Sequence, residues 1–180
     1  MKKYFLIFIS ILLVTFGIRF VLNRKSQEQF KTIGNMKITS SAFEYNQSIP
    51  KKYTCDGENV HPPLTFSEVP SEAKSLVLIV SDPDAPSGDW THWIVFNISP
   101  DIKNVDEYST PNGIVARNSF SKNEYGGPCP PSGTHRYIFA LYALDTLLSL
   151  DRNVDKKAIL KSINSHVLSQ TEITGVYSRQ

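Results

Sequence analysis

Residues 75–86 read Ser-Leu-Val-Leu-Ile-Val-Ser-Asp-Pro-Asp-Ala-Pro. The first seven form a continuous apolar run rich in β-branched side chains, the pattern of a strand buried on both faces. The next five cannot continue it, because each proline removes a backbone donor and restricts the residue before it. A buried strand followed at once by a stiff acidic turn sets the frame for the rest of the chain. Working outward, His92–Ser99 (HWIVFNIS) and His135–Leu144 (HRYIFALYAL) repeat the strand pattern. Turn clusters separate them: residues 82–88, 109–113 and 126–133, all rich in Gly and Pro. No helical period alternates with the strands, which excludes a parallel βαβ sheet. One helix is predicted from about Asp155 to Leu168, with Ile159, Ile163 and Val167 on one stripe and Asn153 or Asp155 as its cap. Glu172–Arg179 reads as a closing strand. The fold class is mainly β, an antiparallel β-sandwich with a few peripheral helices.

The composition fits one core: 180 residues, 41% hydrophobic and 20% charged, values that exclude a disordered or collagen-like chain. Charge divides unevenly. Of 19 basic and 17 acidic groups, residues 1–34 hold six and one, so residues 35–180 carry 13 and 16 and are mildly acidic. The basic character belongs to the leader, and nothing points to a nucleic-acid-binding surface. In that leader Lys2 and Lys3 precede an apolar run from Tyr4 to Ile18, extended past Arg19 to Leu22. At about 1.5 Å per residue the long form spans roughly 28 Å of a ~30 Å hydrocarbon core. Residues 1–22 are therefore expected to form a membrane anchor. A cleaved signal is the alternative, although no alanine occurs before Ala42 and Thr15-Phe16-Gly17 is a poor cleavage site. Residues 23–35 read as a polar tether and residues 36–180 as the folded domain, expected outside the cytoplasm.

Three stretches stand apart as chemistry. Asp82-Pro83-Asp84-Ala85-Pro86 holds two carboxylates on rigid backbone; taken alone, it is a stiff acidic turn. His92 opens an apolar strand beside Trp90 and Trp93, where a lone histidine is ordinarily a satisfied core residue. Gly127-Pro-Cys-Pro-Pro-Ser-Gly133 feeds His135-Arg136-Tyr137, and strand geometry places His135 and Tyr137 on one face with Arg136 on the other, facing a strand-neighbour carboxylate. Together they supply two imidazoles, a phenol and an aspartate. Imidazole N–H and phenol O–H donors suit an anion, and an aspartate can fix a histidine tautomer. Two rival chemistries use the same residues. Cys129, His135 and Asp82 superficially match a hydrolase set of nucleophile, base and orienter, without any G-x-S-x-G elbow. Asp82, His92 and His135 match a two-histidine, one-carboxylate metal set by residue type alone.

The segments CDGENVHPPLTF (55–66), SLVLIVSDPDAP (75–86), THWIVFNI (91–98) and YGGPCPPSGTHRYIFALYALD (125–145), with the terminal TEITGVYSR, resemble the phosphatidylethanolamine-binding protein family, in particular its bacterial and archaeal Raf-kinase-inhibitor-like branch. The resemblance covers Met36 to Arg179. It implies a Greek-key β-sandwich with a small metal-free, cofactor-free pocket for a phosphate-type anion or a phospholipid headgroup. Matched motif by motif, Asp82, His92, His135 and Tyr137 are the expected ligand-binding residues. Pro83, Asp84, Pro86, Gly127, Pro128, Pro131 and Gly133 are the expected loop support, with a cis bond before Pro83 or Pro86. His61 replaces the serine usual before Pro-Pro in bacterial relatives and is expected on the surface. The C-terminal helix of animal members is lacking, which leaves the pocket more open. The expected function is non-enzymatic binding, with a kinase or protease partner by family analogy and a homodimer as a further state. The hydrolase is the alternative.

Cys55 and Cys129 are the only cysteines. In an oxidising compartment they pair across 74 residue steps and clamp two loops together; otherwise they are two separate buried thiols.

Overall fold

The computed structural model describes residues 34–179. The segments expected to be an anchor (residues 1–22) and, for the most part, a tether (residues 23–35) lie outside them. Among the described residues no helix is long and apolar enough to cross a membrane.

Among the described residues, eight strands form two antiparallel sheets. The smaller has the order β1 (Lys37–Thr39), β2 (Leu64–Ser67), β5 (Asn104–Val105). The larger runs β6 (Ile114–Val115), β4 (Trp90–Ile98), β3 (Ser75–Asp82), β7 (Thr134–Leu144), β8 (Val167–Ser178). Strand β3 lies at the centre and every one of its residues is buried, as its unbroken apolar run requires. Leu76, Leu78 and Val80 point into the core between the sheets, where they join Tyr137, Phe139 and Leu141 of β7 and Ile38, Leu64 and Phe66 of the small sheet. Val77, Ile79 and Ser81 point to the other face. There α1 (Lys156–Ile163) buries Ile159 and Ile163, and its Lys156 Nζ donates to Ser81 Oγ at 2.8 Å.

Three expectations are corrected. The helix is capped by Asp155, whose side chain accepts from Ala158 N, but it ends at Ile163. Val167 and Leu168 already belong to β8, whose pairing with β7 runs without a break in partners from Thr134↔Ser178 to Ala143↔Ser169. A long ladder outweighs a four-residue apolar repeat that continues by coincidence to Val167. Secondly, α1 and a 3-10 turn at Lys51–Tyr53 are the helical elements among the described residues, fewer than expected. Thirdly, the bonds before Pro83 and Pro86 are both trans. Asp82 Oδ1 accepts the amide of Asp84 at 2.8 Å, and this Asx-type turn bends the chain with trans geometry.

One irregularity positions the site. Val80 pairs with Trp93 and Ser81 pairs with Thr91, so His92 is an extra residue in β4, a β-bulge. Strict alternation would send His92 to the face opposite Trp93. The bulge turns it instead toward the core side, where its ring meets that of Tyr137 edge-on with centroids 5.2 Å apart.

Candidate anion site

The C-terminal end of β3 and the starting ends of β4 and β7 lie side by side, which brings Asp82, His92, His135 and Tyr137 to one end of the core. Asp82 is 3% exposed, His92 3%, His135 7% and Tyr137 0%. Four polar side chains this deeply buried are expected to find hydrogen-bond partners, and any orphan among them needs a reason.

Asp82 Oδ2 accepts from His135 Nδ1 at 2.7 Å, while Oδ1 is held by the Asp84 amide. The carboxylate thus fixes the proton of His135 on Nδ1 and leaves Nε2 as the ring's second polar atom. His92 is fixed in the same sense by a different group: its Nδ1 lies 2.6 Å from Gly126 O, a carbonyl that only accepts. Burial pushes the His92 imidazole below its ordinary value, an effect offset in part by the Gly126 carbonyl and the Asp82 charge. The Tyr137 hydroxyl makes no hydrogen bond of ordinary geometry, although the Asp82 carboxylate and the Cys129 backbone are near enough to influence it. Burial first, and then the Asp82 charge, push its ionisation well above the normal phenol range, so it stays an O–H donor.

The supporting loops divide into two groups. Asp84 braces Asp82 through its amide and grips Arg136 of the opposite β7 face in a fork, Nε to Oδ2 at 2.8 Å and Nη2 to Oδ1 at 2.6 Å, with the Arg136 amide also on Oδ2. That pairing holds the Asp84 carboxyl below the usual range. Gly127 and Pro128 are buried, and a Cβ at Gly127 would come within 2.7 Å of both Asn59 Oδ1 and Tyr53 O. Pro86, Pro131 and Gly133 are exposed, and Gly133 takes a left-handed turn at φ +70°. Their part is to bend the chain away from the quartet.

Cys55 and Cys129 are joined, with Cα atoms 5.4 Å apart. The bridge is one of three ties between the segment 53–59 and the strap 126–129: Cys55 N donates to Pro128 O at 3.0 Å, and Gly127 N donates to Asn59 Oδ1 at 2.8 Å. The carbonyl that orients His92 is therefore anchored from outside the strap. Cys129 Sγ is also committed to a bond, so it is no free thiol nucleophile. Among the described residues no three His, Cys, Asp or Glu side chains are grouped to hold a metal ion.

Four contributors escaped the sequence reading. Tyr177 sits opposite His135 in the β7–β8 register, and its hydroxyl donates to Asp56 Oδ2 at 2.9 Å. Asn118 is buried and donates from Nδ2 to the carbonyls of His92 and Glu124, while its Oδ1 accepts from the amides of Phe120 and Lys122. Phe120 lies edge-on to His92 and Trp90, at 5.5 and 5.4 Å. Gly126 supplies the carbonyl for His92. Phe120 did carry a signal, as the lone large apolar residue in the polar stretch Arg117–Glu124. His61 is corrected outright: it is 4% exposed, stacked on Trp93 at 4.7 Å, with Nδ1 near Pro62 O and Nε2 near Ser109 O.

Comparison with known proteins gives a consistent result. The profile described as phosphatidylethanolamine-binding protein matches residues 39–178. A UPF0098 protein of Methanothermobacter thermautotrophicus is 48% identical over 150 residues, which covers 80% of this chain and 99% of the relative. A UPF0098 protein of Chlamydia trachomatis is 45% identical over 149 residues, with the same coverage. Among solved structures, the phosphatidylethanolamine-binding protein homolog CT736 of Chlamydia trachomatis is 44% identical with a TM-score of 0.79, covering 82% of this chain and 99% of that one. YbcL of E. coli is 31% identical with a TM-score of 0.75, covering 81% and 99%.

Proposed function

The chain belongs to the phosphatidylethanolamine-binding protein family, and from that premise we propose that it is a non-enzymatic binding protein whose Asp82–His92–His135–Tyr137 quartet takes a phosphate-type anion or a phospholipid headgroup. The observation that carries the reading is the Tyr137 hydroxyl, fully buried and without a hydrogen bond of ordinary geometry. Leaving such a donor unmade costs about 1–3 kcal/mol, and a ligand oxygen would recover it.

The proton accounting follows from the tautomers. Both rings spend Nδ1 on protein acceptors. When neutral, each offers only a lone pair at Nε2, which an anion cannot use; when protonated, each offers an N–H. Anion binding therefore takes up protons, and the charge of the imidazolium offsets the repulsion from Asp82. Hydrolysis through Cys129 is not favoured, since its sulfur sits in a disulfide. In the same reading the leader over residues 1–22 holds the domain at a membrane, outside the cytoplasm, and a kinase or protease partner would be recognised through the occupied site.

Calorimetry of the full-length chain with inorganic phosphate at pH 6 is the test. Saturable binding that is lost in His135→Ala supports the reading; equal binding by wild type and His135→Ala sinks it.

A further inference from the structure

We propose that the Cys55–Cys129 bridge is a redox switch on the anion site: a dithiol opens it, and the opened form binds the anion more weakly. The inference rests on the anion reading above and adds its regulation.

The bridge is open to attack. Cys55 and Cys129 are both exposed, and both line a surface cleft of about 150 Å³. Exposed disulfides are the labile ones, whereas a bridge sealed in a core resists exchange. A thiolate of the dithiol attacks one sulfur, the other leaves as a thiolate, and the second thiol of the reagent resolves the mixed disulfide. Two electrons and two protons pass to Cys55 and Cys129, and the dithiol closes into its own disulfide.

Opening the bridge leaves the sheets standing. Residues 54–59 and 126–133 belong to no helix or strand, so no ladder runs through either sulfur. The change falls on the strap at residues 126–129. Two hydrogen bonds then remain between it and the segment 53–59, Cys55 N to Pro128 O and Gly127 N to Asn59 Oδ1. Just ahead of the strap the chain stays pinned, because the Tyr125 hydroxyl donates to Tyr53 O at 2.9 Å.

Beyond that pin the strap is stiff. Pro128 precedes Cys129 and Pro130 and Pro131 follow it, and their fixed φ angles make this stretch a lever rather than a slack loop. At the pinned end Gly126 is bonded to His92 twice: its amide donates to His92 O at 3.0 Å, and its carbonyl lies 2.6 Å from His92 Nδ1. A turn of the strap therefore moves the imidazole instead of detaching from it. At the other end the Cys129 backbone is close enough to the Tyr137 hydroxyl to ease its ionisation, against the effects of burial and of Asp82. The bridge thus governs the surroundings of two members of the quartet. The other two, Asp82 and His135, hold each other at 2.7 Å and touch neither loop through any of these bonds. Opening weakens the site and leaves half of it in place.

The test uses the full-length chain in two forms, one with the bridge closed and one reduced by dithiothreitol, which is then removed under anaerobic conditions. In calorimetry at pH 6, inorganic phosphate should bind the reduced form at least about fivefold more weakly, the lower end of ordinary coupling between two sites. Reoxidation should restore the affinity. Coupling is reciprocal, so saturating phosphate must raise, by the same factor, the ratio of reduced to oxidised dithiothreitol at which half the bridges are open. His135→Ala, which lacks the site, should show no such phosphate effect. Far-UV circular dichroism and the NMR signals of the His61 ring should not change on reduction, which separates a switch from unfolding. A bridge that opens only when the chain unfolds, or an affinity that stays within about twofold on reduction, overturns the switch while the anion reading stands. If the chain with its bridge closed binds no phosphate, both readings fall.

Discussion

His61 and His92 are both buried histidines placed around Trp93, the first stacked on its ring and the second preceding it in β4, yet their polar atoms are used differently. His61 lies flat on Trp93 with a backbone carbonyl at each ring nitrogen. His92, one residue before Trp93, has a carbonyl at Nδ1 and lies beside a tyrosine whose hydroxyl makes no hydrogen bond of ordinary geometry. In the first arrangement protein carbonyls occupy both ring nitrogens, so no ring atom is left for a ligand. The second leaves donors and a lone pair pooled at one end of the core. The free ring position, rather than residue type, separates the candidate binding histidine from the structural one.

The largest expected effect tests whether the His92 side depends on its clamp. Removing the bridge as Cys55→Ser with Cys129→Ser should lower stability by about 2–5 kcal/mol in urea unfolding. The ring signals of His92 should broaden or shift in NMR spectra while those of His61 stay in place. Equal disturbance of both rings would erase the distinction.

Next come the quartet substitutions. His135→Ala should weaken phosphate binding about 10- to 100-fold, the range for losing a charge-assisted hydrogen bond. Tyr137→Phe should also weaken binding, by about tenfold, while raising the unfolding free energy of the unliganded protein by about 1 kcal/mol, because it removes an unmet hydroxyl. His61→Phe should do the opposite: stability falls by about 1–2 kcal/mol as one buried carbonyl loses its donor, and phosphate affinity stays within about twofold. A stability loss in Tyr137→Phe would contradict the contrast on which the site rests.

A pH series sharpens the contrast further. Burial depresses the His92 imidazole, so the folded chain resists a proton that the unfolded chain accepts below about pH 6.5. Its stabilising contribution is present above that pH and is lost as the pH falls toward the depressed folded value. Phosphate should reverse the trend, binding more tightly at pH 6 than at pH 8 and drawing protons from the buffer. Proton uptake is read from calorimetry in two buffers of different ionisation enthalpy, and none would be seen if the rings bind as neutral groups.

The smallest effect lies outside the comparison. Arg136→Ala breaks the fork with Asp84, but the side chains are 56% and 31% exposed, so stability should change by less than about 1 kcal/mol in the same unfolding assay.

Much of this was legible in order of length. The runs at β3, β4 and β7 were readable because eight to eleven residues of consistent burial leave a consistent pattern. The strands β1, β2, β5 and β6 have two to four residues, too few for any period to emerge. In the site, His135 and Tyr137 followed from simple alternation along β7. Nothing in the stretch Thr91-His92-Trp93 marks a bulge, and the placement of His61 depends on the carbonyl of Ser109, 48 residues away. The disulfide was one of two open outcomes, since the approach of two loops is decided by tertiary packing that residue spacing does not encode.

The bulge at His92 has a consequence for how this protein can vary. Strand β4 sets residues 90–98 against residues 76–82 of β3, two more than its partner, and His92 is one of these two surplus positions, so the chain on either side of it is in register only because of that extra residue. Deleting a single codon between Thr91 and Trp93 would leave both flanking ladders intact, and the sheet would accept the shorter strand. The imidazole would vanish from the site and no neighbour would rotate in to replace it. Substitutions erode this site gradually, one donor at a time. A length change of one would silence it in a single step and leave the sandwich standing.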